Sequence, residues 1–250
     1  MKRAICEKCG ETLLAAEGWC PSCSPVLSSA SFAPASAQVN VVAQPVGILT
    51  RKVEDGVHSS TYHSPDGAKS SNTLSPDTFS LHLAGRSDAG KPGEATVVHA
   101  VETRLRETGY SVTRLTASDG DGEDARVLCD DIPVTIQVTM VPHEPGLWEQ
   151  WRHGSTSTEV PLPTAVGWVK KAVDHKANRY SAPEKEATIL ALDVRHLGAL
   201  VSPPFTEAIA AECGDVPSTS GFGAVWLVGA TSSTCTALGE GKRFMNRPAK

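Results

Sequence analysis

The sequence is poor in aromatic residues, which fill 5% of its 250 positions, and it has only three methionines. Aliphatic side chains must therefore supply most of any core. No run approaches the roughly 20 consecutive apolar residues that a membrane span needs, so no membrane partner is expected. Met1-Lys2-Arg3 is basic, but Cys6 and charged residues follow where a signal peptide needs its apolar segment, and a cytoplasmic location is expected. Basic residues do not predominate either: 23 Lys and Arg against 28 Asp and Glu give a net charge of -5. That excludes a globally basic nucleic-acid coat and leaves room for a local basic patch. Also missing are a glycine-rich phosphate loop, a nucleophile elbow with Ser, His and Asp, and a helix carrying His-x-x-x-His.

What is present is uneven. Of seven cysteines, Cys6, Cys9, Cys20 and Cys23 lie in the first 23 residues, while Cys129, Cys213 and Cys235 are scattered singly. An odd total with two C-x-x-C pairs is a poor disulfide framework and a good metal pattern. Zn(II) takes four soft ligands at tetrahedral corners, and two C-x-x-C turns facing each other supply them. Gly10 after the first pair and Pro21 inside the second suit such turns. The pattern resembles the bacterial short zinc ribbon, over residues 4–24. A redox pair or an iron site is the competing reading, but a redox pair sits at a helix start after a strand, and this segment is too short for that fold. With all four thiolates used, the zinc is structural, because no position remains for a catalytic water. The ribbon's partner, protein or nucleic acid, stays open.

From residue 25 to 93 the composition changes to serine, alanine, proline and glycine, as in Ser28-Ser29-Ala30-Ser31 and Ala33-Pro34-Ala35-Ser36-Ala37. This reads as a flexible linker, with short strands at Val39–Leu49 and Thr78–Leu83, and with His58, His63 and His82 as exposed loop residues.

Residues 94–250 carry regular patterning. Glu94–Thr108 is a helix by its spacing of Val97, Val98, Val101 and Leu105, stopped by Gly109. Strands follow at Tyr110–Thr116, Ala125–Cys129 and Val134–Val141, with Asp130-Asp131 as a tight turn. Pro142–Pro163 reads as irregular. Thr164–Tyr180 is helical, Thr188–Val194 a buried strand, Phe205–Cys213 a helix and Gly223–Val228 another buried strand. The expected fold is α/β, a mixed sheet between helices in a three-layer sandwich, preceded by the ribbon and the linker.

This order resembles the restriction-endonuclease-like PD-(D/E)XK superfamily, and Val97–Thr139 is similar to the archaeal Holliday-junction resolvases and type IV restriction endonucleases. The matching stretches are Arg104-Leu105-Arg106-Glu107-Thr108-Gly109-Tyr110, Asp119-Gly120-Asp121-Gly122-Glu123-Asp124 and Ile136-Gln137-Val138-Thr139, with Lys176, Tyr180 and Ile189-Leu190-Ala191-Leu192-Asp193 later on. The resemblance implies phosphodiester hydrolysis of DNA or RNA with Mg(II), which prefers hard oxygen ligands. It makes Asp124 the main ligand, with Gln137 and the Val138 carbonyl beside it. Two departures stand out: Thr139 occupies the lysine position, and Val98 that of the first-helix acid. Glu94 and Glu102, one turn to either side of Val98, are the candidate acids. Lys176, which flanks the apolar stripe of its helix, is the candidate amine, and Lys170, Lys171, His175 and Arg179 complete a basic face.

Each residue also has a plain structural reading. Asp124, Asp130 and Asp131 serve as turn formers, Glu102 as a solvated helix residue, Lys176 as a snorkelling one, Asp193 as a strand-end cap, Trp148 and Trp151 as loop anchors, and the three single cysteines as buried or inert thiols. Two functions therefore stand side by side. One is a metal-dependent nuclease with a tethered zinc ribbon. The other is an inactive nuclease-like adaptor that binds a protein or nucleic acid. A lysine amine beside Asp124 and Gln137 separates them.

Overall fold

The computed structural model describes residues 47–64, 67–84, 91–115, 124–142 and 145–239, with backbone alone at 91–93, 145 and 152–153. All belong to one compact unit, Pro45–Lys250. Cys6, Cys9, Cys20 and Cys23 of the expected zinc ribbon, and the expected turn at 119–123, lie outside the described residues.

Four strands come first: β1 (Ile48–Glu54), β2 (Val57–His63), β3 (Lys69–Leu74) and β4 (Thr78–Ala84), each antiparallel to the next. The expected linker thus ends before residue 48. The alternation was hidden because polar residues take inward positions. Ser60, Ser70 and Asn72 are buried together with Tyr62, Leu74, Phe79, Leu81 and Leu83, while the serines, threonines and histidines between them point outward. His58, His63 and His82 accordingly sit on strands. Asp55-Gly56 joins β1 to β2 with both residues at positive φ, as a two-residue hairpin turn requires.

Helix α1 (Lys91–Glu107) ends at Gly109, whose φ of 92° lets Tyr110 N–H reach the Leu105 carbonyl at 3.1 Å. Strands β5 (Val112–Leu115), β6 (Ala125–Cys129) and β7 (Ile132–Met140) form a meander. Asp130 and Asp131 are its positive-φ turn, and Asp130 also accepts from Ser111 N–H at 2.9 Å. The stretch expected to be irregular holds helix α2 (Pro145–His153) and strand β8 (Thr156–Pro161), which pairs with β4 and runs directly into α3 (Leu162–Ala177). Next come α4 (Ala182–Glu186), β9 (Thr188–Asp193), a 3₁₀ segment (Arg195–Val201), α5 (Pro203–Cys213), α6 (Val216–Ser220), β10 (Ala224–Val228) and β11 (Cys235–Ala237).

The described residues form a mixed α/β structure with two sheets. One is antiparallel, in the order β1-β2-β3-β4-β8, and the other is β11-β10-β9-β7-β6-β5, with β7, β9 and β10 parallel. Alternate residues of β7, β9 and β10 enter different cores. Ile136, Val138, Ile189, Ala191, Trp226 and Val228 pack with α1 through Val97, Val98, Val101 and Leu105. Leu190, Leu192, Val225 and Leu227 pack with Val166, Val169 and Val173 of α3, and that second core also takes in Phe79, Leu81 and Leu83 of β4. Helix α3 therefore touches both sheets. Asn72 ties them further: its amide donates to the His196 carbonyl at 3.0 Å and accepts from Ala199 N–H at 2.7 Å. Gly198 permits this approach, since a Cβ there would stand 2.3 Å from Ser60 Oγ. Among the described residues no helix is long and apolar enough to cross a membrane.

Candidate active site

Register brings the predicted residues together. Ala125 of β6 is the partner of Ile136, so Asp124, one residue before the strand, extends that pairing to Gln137. Ile136 and Val138 face α1, which turns Gln137 toward α3. Asp124 Oδ2 accepts a hydrogen bond from Val138 N–H at 2.6 Å, which fixes the carboxylate against the neighbouring strand.

The other half comes from α3. Its buried stripe through Val166, Val169 and Val173 continues at the next turn to Lys176. The Lys176 ammonium donates to Gln137 Oε1 at 3.1 Å, and the Tyr180 hydroxyl donates to the same oxygen at 2.5 Å. Gln137 itself is fully buried. The helix ends at Ala177 rather than at Tyr180, so Tyr180 stands in the turn after it, edge-on to buried Phe222 with ring centroids 6.4 Å apart.

The charges respond to this enclosure. Burial pushes the Asp124 carboxyl above its ordinary range, and the Val138 N–H and the Lys176 charge draw it partly back. Burial likewise lowers Lys176. Asp124 opposes that shift, Arg179 adds to it, and Glu94 opposes it more weakly, which puts all three within electrostatic reach of the amine. A carboxylate raised and an amine lowered by burial, held by the adjacent β7 residues Val138 and Gln137, is an arrangement expected of a reactive site.

The remaining candidates separate. Glu94 joins the electrostatic environment of the cluster from an exposed position on α1. Glu102 is buried and faces elsewhere, receiving Arg114 Nε at 2.6 Å and Arg106 at 3.7 Å. It is a structural anion, because β5 brings Arg114 to the same side of the sheet as α1. Thr139 is buried two positions after Gln137, and Val98 lies in the α1 core. Lys170 pairs with Asp174 at 2.5 Å on the exposed side of α3, apart from Lys176. Asp193 does more than cap a strand: buried Arg195 meets it with two hydrogen bonds, at 2.9 and 2.8 Å. Trp148 donates to the Pro142 carbonyl at 2.8 Å and Trp151 stacks edge-on to His196, so both anchor α2 to the core. The Cys129 and Cys235 thiols are buried and pushed up to about 11 and about 12, the range of inert thiols.

Tyr180, named beside Lys176 in the resemblance, was given no role in the site by the sequence reading, which took it as the end of the helix Thr164–Tyr180. The signal available was its place four residues after Lys176.

As a cation site the cluster is lean. Among the described residues no three or more His, Cys, Asp or Glu side chains converge. Asp124 offers a carboxylate, but Gln137 Oε1 already accepts two hydrogen bonds, as many as an amide oxygen has lone pairs. Mg(II) tolerates such a site, since it commonly keeps several waters and takes one or two carboxylates plus substrate phosphates. No family model matches the chain, and no curated protein and no solved structure matches it.

Proposed function

We propose that this protein is a metal-dependent nuclease, hydrolysing phosphodiester bonds of DNA or RNA in a restriction-endonuclease-like domain, with an N-terminal zinc ribbon as its recognition module. The observation that carries this reading is the approach of Lys176: its ammonium stands 3.1 Å from Gln137 and within electrostatic reach of Asp124. The amine that position 139 lacks is thereby supplied from α3. The helix-covered faces of the six-stranded mixed sheet agree with a three-layer sandwich, to which the five-stranded sheet is an addition.

Mg(II), when bound, supplies Lewis acidity at a phosphate oxygen and lowers the pKa of the attacking water. Asp124 is the side chain that would hold it, with Glu94, which acts on the charge of Lys176, as the candidate second acid. Lys176 holds the attacking water by hydrogen bonding and offsets the negative charge that grows on the phosphorus oxygens as the bond breaks. Arg179, beside it, meets a neighbouring phosphate. In the ribbon, Cys6, Cys9, Cys20 and Cys23 would hold one zinc ion.

Incubating supercoiled plasmid, and separately a single-stranded RNA, with the full chain and Mg(II) or Mn(II) tests the reading. Nicking or cleavage is expected, and Asp124→Ala and Lys176→Met each reduce it by about 100-fold or more. Equal cleavage by wild type and Asp124→Ala would reject it. The second reading, an inactive adaptor, draws on the two donors that already occupy Gln137 Oε1. Tight nucleic-acid or protein binding with no cleavage in either metal would favour it.

A further inference from the structure

We propose that Tyr180 is a positioning residue of this site, whose hydroxyl and the Lys176 ammonium together fork onto Gln137 Oε1 and thereby fix the amine on the residue that Asp124 faces across the β6–β7 pairing. This inference rests on the nuclease reading for its catalytic consequence only; the positioning itself is a matter of geometry.

The hydrogen-bond roles follow from the donor inventory. A lysine ammonium has three donors and no acceptor, so the atom it approaches must be the amide oxygen. That settles the orientation of the Gln137 amide. Tyr180, meeting the same oxygen, must then donate. Each donor reinforces the other: a flipped amide would aim its N–H groups at both the ammonium and the hydroxyl. The fork is closed from behind, because Phe222, itself buried, abuts the Tyr180 ring, and Gln137 is buried on β7.

The fork matters because of what holds Lys176 otherwise. A lysine side chain has four rotatable bonds, and ordering one costs up to about 2 kcal/mol of rotamer entropy. At 3.1 Å from a neutral amide, one hydrogen bond opposes that freedom weakly. The second donor stiffens the acceptor rather than the lysine, so the amine finds one fixed target. A misplaced catalytic group is costly in rate even when substrate still binds. The same geometry gives Gln137 its task. With both lone pairs engaged, it anchors the amine, and the protein's hold on a cation falls to Asp124.

The experiment is solution NMR of the full chain with ¹³C-labelled lysine, the Lys176 signal being assigned by its loss in Lys176→Arg. In wild type, an immobilised Lys176 gives two resolved Hε signals. In Tyr180→Phe, which keeps the ring against Phe222, these merge into one, as for a freely rotating lysine, while the backbone amide spectrum reports an intact fold. In the same variant kcat for plasmid nicking falls about 10-fold and the KM for plasmid stays unchanged, because positioning is lost without loss of binding. Two resolved Hε signals persisting in Tyr180→Phe would overturn the proposal, whatever the activity. Merged signals in a protein that never nicks in either metal would support the positioning and remove the nuclease reading.

Discussion

Asp124 and Gln137 stand across from each other where β6 begins beside β7, and the Asp124 carboxylate accepts the backbone N–H of Val138 at 2.6 Å. The two side chains thus share the face of the sheet that α3 covers. Had the register slipped by one residue, Gln137 would face α1 and Lys176 could not reach it. The site depends on this strand pairing more than on any single side chain.

Because burial raises the Asp124 carboxyl, its charged form costs the fold stability. The sign follows from linkage: a group whose folded pKa lies above the unfolded one favours folding below the unfolded pKa, and loses that contribution as pH rises through the folded pKa. In metal-free protein, Asp124→Asn should therefore melt a few degrees higher than wild type at neutral pH and no higher near pH 3. Differential scanning calorimetry across that range checks this, and an equal or lower melting temperature for the variant at neutral pH would contradict it. Cleavage should be lost in the same variant.

Lys176→Met removes a positive charge that lowers the Asp124 carboxyl. The Asp124 pKa, followed by its ¹³Cγ shift in metal-free protein, should move further up. An unchanged titration would mean that the two groups do not sense each other.

Glu102 separates structure from chemistry. It is buried against Arg114 at 2.6 Å, outside the Asp124 cluster. Replacing it with alanine should cost about 1–3 kcal/mol in urea denaturation, with cleavage per folded molecule unchanged. A loss of cleavage comparable to that of Asp124→Ala would return Glu102 to the site.

How much of this was legible in the sequence varies by element. The spacing of Val97, Val98, Val101 and Leu105 gave away α1, and the apolar runs at Thr188–Asp193 and Ala224–Val228 gave away the central strands, because a strand covered on both faces can hardly be anything else. Motif position and helical spacing singled out Asp124, Gln137 and Lys176, and the structure brings Lys176 onto Gln137 and Asp124 into register with it, while their roles belong to the proposed function. Of the five-stranded sheet, Thr78–Leu83 was read as a strand and is β4, whereas β2 and β3 were not legible, since Ser60, Ser70 and Asn72 occupy inward positions and break the apolar alternation. Its fifth strand, Thr156–Pro161, reads as a proline-bounded polar loop and becomes a strand only through its pairing with β4. Nor could spacing choose between Glu94 and Glu102: the partner that claims Glu102, Arg114, comes from another strand.

Asn72 provides a test of the tie between the sheets. Asn72→Ala removes the partners of two buried backbone groups, the His196 carbonyl and Ala199 N–H. The expected loss is about 2–4 kcal/mol, read by urea denaturation. A loss below about 0.5 kcal/mol would show that the 3₁₀ segment is held by its apolar packing alone.

The proposed zinc site of Cys6, Cys9, Cys20 and Cys23 has a test of its own. Elemental analysis should find about one zinc per chain, and Cys20→Ser should abolish it while the melting transition of residues 47–239 persists. A full complement of zinc in Cys20→Ser would contradict the four-cysteine assignment.

Strand β8 arrives in the chain more than 70 positions after β4, its neighbour in the sheet, and feeds straight into the helix that carries Lys176. On a ribosome, β1 to β4 emerge long before their last strand and before the apolar cover of Phe79, Leu81 and Leu83. The interior that α3 shares with both sheets is whole only when both are present. A fragment cut at the start of α1, where a composition-based boundary would fall, strips Ala68, Leu74, Phe79, Leu81 and Leu83 from that shared interior and should be recovered as aggregate.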